Sequence, residues 1–216
     1  MVSGSPLPAS ADQPSKPGCR DAVVAALQQR YESAKDLRAD IVQTTRSVAF
    51  GTGSSEQMIS KGTVVFAKPG KMRWSYTEPE PSLVVSDGET LWIYDPVFRE
   101  AQKLPVTEGF LSGAAVQFLL GEGEIERNFE ISALRCEKTI AELRLRPRKP
   151  GSYEKLHVLV NPETGDLLQT TVFFVLGNVT EVAFFNIELN TDPAASVFRF
   201  DPPKDVRVIE LGEPPR

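Results

Sequence analysis

A single, mainly antiparallel β domain with a few short helices is the fold class this 216-residue sequence predicts. Three observations carry it. The stretch Gly62 to Pro96 alternates apolar residues in runs separated by Pro69-Gly70 and Asp87-Gly88, which are hairpin signals. Ala141, Leu143 and Leu145 alternate with Glu142, Arg144 and Arg146, the pattern of a strand with one wet face. Helical periodicity, by contrast, is confined to short segments near the amino terminus and mid-chain.

Taken in order, residues 1–18 are rich in Ser, Pro, Gly and Ala and read as a disordered segment. From Asp21 to Lys35 the period is helical: Val23, Leu27, Tyr31 and Ala34 form one stripe with Val24 beside it, and Asp21 suits the positive end of the helix dipole. Leu37 to Phe50 reads as a strand, the Gly51 to Ser55 stretch as a hairpin loop, and Met58 to Ala67 as the return strand with Met58, Val64 and Phe66 on one face. The meander follows, with Met72, Trp74 and Tyr76 alternating, then Leu83 to Val85, then Leu91 to Tyr94. Pro79 and Pro81 break it once. Val97 to Leu104 and Ser112 to Leu120 read as two short helices, separated by Pro105 and Gly109, with Ser112 as N-cap and Gly121 as stop. Strands are then expected at Asn128 to Ile131, Ile140 to Arg146, Lys155 to Asn161, Leu167 to Leu176, Thr180 to Asn190, Phe198 to Phe200 and, at an edge, Val206 to Ile209. A sheet of about ten strands twists and curls. If it does not close, it leaves a concave apolar face for the helices to cover, either permanently or removably.

Composition narrows the chemistry. The net charge of −5 is scattered, with no basic face for nucleic acid. No run approaches the ~18 apolar residues of a membrane helix. Ala9-Ser10-Ala11 resembles a signal-peptidase site, but nothing apolar precedes it, so the start reads as trimmed or engineered. Gly18-Cys19 is a poor lipobox, with Lys16 where an apolar residue belongs. Cys19 and Cys136 are too few for a zinc site; they are either two buried thiols or, in an oxidising compartment, a bridge. His157 is the one histidine, placed in a strand with no nucleophile elbow anywhere, so the chain is not expected to be an enzyme and no metal or cofactor is expected. The cluster Arg144, Arg146, Arg148 and Lys149 reads first as a solvated strand face, with contact to a membrane or partner as the alternative.

The block SLVVSDGETLWIYDP, preceded by KPGKMRW, resembles the LolA family of periplasmic lipoprotein carriers, and FRFDPPKDVRV resembles that family's F-x-F-x-P-P-x-x-V ending. The resemblance spans roughly residues 20 to 210. It implies an unclosed antiparallel β-barrel, a half-barrel of about ten or eleven strands covered by three short helices that act as a lid. Residues 19–210 would form the single LolA-like domain, with 211–216 a flexible tail. It implies that acyl chains of lipoproteins occupy the cavity, lined here by Val64, Phe66, Met72, Trp74, Tyr76, Val84, Trp92, Tyr94 and Phe174. The lid would present Val23, Leu27, Tyr31, Phe98, Phe110, Leu111, Val116, Phe118 and Leu119. The family's arginine before the Pro-Gly turn, which holds the lid closed by hydrogen bonds to backbone, falls on Lys68, which keeps the charge but loses the planar fork, so a looser closed state is expected. The family's exposed aromatic falls on Met72, expected at the mouth; Trp74 matches; the lid positions fall on Val116 and Phe118. The implied setting is the periplasm. The implied partners are acylated lipoproteins, an inner-membrane ABC-type release complex, and an outer-membrane LolB-like receptor or the membrane directly, served by a monomer. A LolB-like receptor and a periplasmic lipid sensor of the same fold are the alternatives.

Overall fold

The computed structural model describes residues 18–48, 55–106 and 125–211. Among the described residues twelve strands form one sheet in the order β12-β6-β5-β4-β3-β2-β1-β11-β10-β9-β8-β7, so β7 and β12 are its ends and the barrel is unclosed. The strands are β1 (Asp36–Val48), β2 (Ser55–Ala67), β3 (Lys71–Glu78), β4 (Ser82–Asp87), β5 (Thr90–Asp95), β6 (Glu100–Pro105), β7 (Phe129–Cys136), β8 (Ala141–Pro147), β9 (Tyr153–Val160), β10 (Leu167–Phe174), β11 (Val179–Leu189) and β12 (Arg207–Glu210). Helix α1 is Cys19–Glu32, α2 is the single turn Ile125–Asn128, and a 3-10 turn spans Ala195–Phe198.

The meander forms where its turn residues direct it. Asp87 Oδ1 accepts hydrogen bonds from the Glu89 and Thr90 backbone amides at 2.9 and 2.8 Å, which closes the β4–β5 turn. Those bonds, that from Thr90 first, hold the Asp87 carboxyl below the usual range. Between β2 and β3 the register steps at Lys61/Gly62. A Cβ at Gly62 would stand 2.0 Å from the Ser75 carbonyl oxygen, so only glycine permits this approach. At the far end of β11, Asp36 accepts from the Thr191 amide at 2.6 Å, the Thr191 hydroxyl at 2.8 Å and the Asp192 amide at 3.1 Å, which compensates for its burial.

α1 begins after Gly18, has Asp21 in its first turn and Arg30 in its last, and buries Val23, Val24, Leu27 and Tyr31. It lies across one end of the sheet. Its first turn is joined to β7 by the Cys19–Cys136 disulfide, with Cα atoms 6.5 Å apart. Arg20 Nε also donates to the Ile131 carbonyl at 3.1 Å. Its middle passes so close to the β9–β10 turn that a Cβ on Gly165, at φ 74°, would stand 2.4 Å from the Ala26 carbonyl oxygen. The bridge left open by sequence is therefore formed.

Three expectations change. Val97 to Leu104 is not a helix: Asp95 Oδ1 accepts from the Val97 and Phe98 amides at 2.9 and 3.0 Å, Arg99 takes φ 51°, and the chain returns as β6. Phe198 to Phe200 is not a strand; the 3-10 turn drives Phe198 into the convex side of β3 and β4, and Arg73 Nη1 caps it on the Val197 carbonyl at 3.1 Å. β12 is the edge strand foreseen, but it pairs parallel to β6. The segment Ser112 to Leu120 lies outside the described residues.

Candidate functional site

Antiparallel partners share a face, and each step along a strand reverses it. The concave face is therefore fixed by register. Leu37, Ala39 and Ile41 of β1 face Phe66, Val64 and Gly62 of β2, which face Met72, Trp74 and Tyr76 of β3. Trp74 then faces Val84, Val84 faces Ile93, and Leu91 faces Leu104. In the other direction Ile41 faces Phe184, and Val182, Thr170, Val158 and Leu143 form the next row.

This face has two zones. Under α1 it is filled: Val64, Phe66 and Met72 are 0%, 1% and 4% exposed and belong to one buried cluster with Val23, Leu27 and Tyr31. Met72 is thus packed in the core, not at a mouth, because its partner positions are Phe66 and Ser86 near the α1 end. Away from α1, Trp74, Tyr76, Val84, Ile93, Leu104, Val106 and Phe174 are only half-buried against that cluster. Trp74 meets Phe66 edge-on at 6.0 Å and Tyr76 at 6.2 Å. Burial pushes the Tyr76 phenol up to about 12, and it donates to Gln43 Oε1 at 2.8 Å, reaching past Gly62 from β3 to β1. At the β5–β6–β12 end the hollow runs into a cleft of ≈ 420 Å³ lined by Ile93, Asp95, Phe98, Glu100, Gln102 and Arg207.

Trp92 and Tyr94 are corrections. Trp92 pairs with Val85 and Tyr94 with Leu83, one step out of phase with Val84 and Ile93, so both lie on the convex face. There they pack on Phe200 at 5.5 and 5.0 Å, with Lys103 Nζ 5.8 Å from the Trp92 ring. The concave apolar residues that sequence missed on β5 and β6 are Leu91, Ile93 and Leu104. Phe98 is also not a lid residue of the kind expected; it sits on the β5–β6 turn, 77% exposed. Phe110, Leu111, Val116, Phe118 and Leu119 lie outside the described residues. His157 sits on the convex face, Nδ1 3.0 Å from Glu142 Oε1 and its ring 4.8 Å from Phe173.

The carboxy end of α1 is held by side chains and backbone together. Lys68 Nζ donates to the Tyr31 and Glu32 carbonyls at 2.7 and 3.2 Å. These are helix-terminal carbonyls without intrahelical donors, and a cation suits that end of the dipole. Desolvation lowers the Lys68 ammonium below its ordinary range. Arg30 Nε donates to Asp166 Oδ1 at 2.8 Å, and the Tyr31 hydroxyl, pushed up to about 12 by burial, accepts from the Leu167 amide at 3.0 Å. The disulfide fixes the other end, so any displacement of α1 must pivot about Cys19 and break the Lys68 and Arg30 contacts.

An unclosed sheet with a half-buried apolar hollow, strapped at one end by a helix, defines the class of half-barrel proteins with a helical strap. The family profile described as "Outer membrane lipoprotein carrier protein LolA" matches residues 32–201. Two relatives named outer-membrane lipoprotein carrier protein are each 30% identical: one from Dechloromonas aromatica over 85% of this chain and 87% of that relative, one from Cupriavidus necator over 85% and 86%. The crystal structure of an uncharacterized conserved protein from Thermus thermophilus superposes with a TM-score of 0.52 at 10% identity, covering 88% of this chain and 98% of that one, a likeness of fold. The chain belongs to the LolA family of outer membrane lipoprotein carrier proteins.

Proposed function

We propose that the protein is a periplasmic carrier that takes acylated lipoproteins toward the outer membrane, sheltering their acyl chains in the concave hollow. The observation that supports this most is the half-buried apolar row from Trp74 through Val84 to Ile93 and Leu104, continuous with the core but not filled by it among the described residues. Burying a methylene contributes ~0.8 kcal/mol, so one fully sheltered acyl chain supplies ~10 kcal/mol. Closure of the chain on its own empty hollow competes with that gain and lowers the net affinity to a level that permits hand-over. The donor would be an inner-membrane ABC-type release complex, and the acceptor an outer-membrane LolB-like receptor or the membrane itself. The test is displacement of the dye bis-ANS. A triacylated lipopeptide is expected to expel it at stoichiometric ratio, and a water-soluble peptide of the same sequence without acyl chains is not; equal displacement by both would refute the reading.

Lys68 is read as the latch. Lys68→Met removes two charge-assisted hydrogen bonds from the end of α1, so the closed state weakens and the apparent affinity for a fluorescent fatty acid is expected to rise about three- to tenfold, the equivalent of ~1 kcal/mol. Lys68→Arg restores a fork and is expected to return the affinity to the wild-type level or below it. A titration in which Lys68→Met binds more weakly than wild type would remove Lys68 from that role.

A further inference from the structure

The β1–β2 hairpin outruns the strand beside it. β2 pairs with β1 over its whole length, from Ser55↔Val48 to Ala67↔Asp36, but with β3 only from Lys61↔Glu78 onward. The cause is in the sequence: β3 ends at Glu78 because Pro79 and Pro81 follow, and proline has no N–H for the ladder. From Ser55 to Ser60, β2 therefore has β1 on one side and, among the described residues, no strand on the other. At ~3.4 Å per residue this open edge is about 20 Å long. Met58 and Ile59 lie in its middle on opposite faces, 54% and 51% exposed.

Open edges invite pairing, and proteins blunt them with bulges, charges, short length or cover. The two ends of this sheet obey that rule. β7 carries a bulge between Ala133 and Arg135, and Arg20 occupies its Ile131 carbonyl. β12 is four residues long. Among the described residues the β2 edge has no such device: the lysine at its boundary, Lys61, is already paired with Glu78 at 2.7 Å, and Glu56 is the one charge along it.

We propose that Ser55–Ser60 is a docking edge for an extended peptide, and that its occupant is the segment of cargo that directly follows the acylated residue. This rests on the carrier reading above. Met58 and Ser60 continue the concave row of Phe66, Val64 and Gly62, and Ser60 faces Gln43, the residue that accepts the Tyr76 hydroxyl. Tyr76 pairs with Gly62, two residues along β2 from Ser60, so a residue whose acyl chains lay against Trp74 and Tyr76 would have this edge within reach of its following backbone. That backbone leaves an apolar hollow with N–H and C=O groups that need partners, and a burial without them is costly. Pairing with β2 satisfies them. It reads main chain rather than side chains, which suits a carrier of many different proteins.

The experiment compares three kinds of ligand on the full chain: dipalmitoylglyceryl-cysteine amide, the same compound extended by six residues, and the extended compound N-methylated at alternate residues, made in both phases. A few backbone hydrogen bonds at their usual net worth make the extended ligand about tenfold tighter than the bare one. One of the two N-methylated phases is expected to lose that gain, and amide exchange at residues 56–60 is expected to slow only with the extended ligand. Ile59→Lys, which adds a charge to the exposed edge, is expected to lose the gain while binding the bare amide as wild type does. Equal affinity for all three ligands would overturn the docking edge and leave the carrier reading intact. Failure of all three to bind would overturn both. A dimer in sedimentation that Ile59→Lys dissociates would show the edge to be occupied by a second copy of this chain instead.

Discussion

Trp74→Glu is expected to reduce the affinity for an acylated ligand by at least a hundredfold. Trp74 stands at the border of the two zones of the concave face, between Val64 on β2 and Val84 on β4, with its ring against Phe66 and Tyr76. An acyl chain in the hollow loses the largest apolar surface it can touch there. It also meets a carboxylate that must either stay ionised without a partner or take up a proton, and each alternative costs several kcal/mol in such surroundings. The fold itself is expected to survive, because Trp74 is only half-buried and its strand keeps both neighbours. Fluorescent fatty-acid titration checks the affinity, and urea unfolding checks that the variant is folded. A folded variant with wild-type affinity would take the ligand away from this face.

The second large effect is expected from the disulfide. Replacing Cys19 and Cys136 by serine opens a loop whose ends are 117 residues apart in sequence. The chain-entropy model assigns ~4.7 kcal/mol to a loop of this order, but such values run high and 2–4 kcal/mol is the usual yield. A loss of 2–4 kcal/mol in urea unfolding is therefore expected. The bridge also anchors the end of α1 that Lys68 does not hold. The double serine variant is thus expected to combine lower stability with tighter binding of a fluorescent fatty acid, because α1 leaves the filled zone beside Trp74 more readily and so lengthens the apolar face open to the ligand. Lower stability with unchanged binding would make the bridge a staple for the fold and nothing more.

The meander was legible in sequence because its turns are encoded locally: Pro69-Gly70 and Asp87-Gly88 stand between alternating runs, and Val64, Phe66, Met72, Trp74 and Tyr76 take the face that alternation assigns them. Trp92 and Tyr94 were not legible, because Leu91-Trp92-Ile93-Tyr94 is apolar at every position and the phase of burial cannot be read from polarity. The phase is set instead by the β4–β5 turn, which pairs Ser86 with Leu91 and so puts Ile93, not Trp92, opposite Val84. Both faces of β5 are apolar for different reasons: the convex one packs on Phe200, and the concave one carries Leu91 into the core and Ile93 into the hollow. β6 was misread as helical because Gln102 and Lys103 blur its alternation, and the decisive contacts come from β12, about a hundred residues later in the chain. The pairing of the two cysteines likewise depends on α1 crossing to β7, a tertiary fact with no local signature.

The central claim is that acyl chains lie on the concave face, and photolabelling tests it most directly. A lipopeptide carrying a diazirine within a palmitoyl chain is bound, irradiated, and its crosslinks mapped by mass spectrometry. Label on β3, β4, β5 and β6 at residues such as Trp74, Val84, Ile93 and Leu104 is the predicted result. Label concentrated on Trp92, Tyr94 and Phe200, on the opposite side of the same strands, would contradict it.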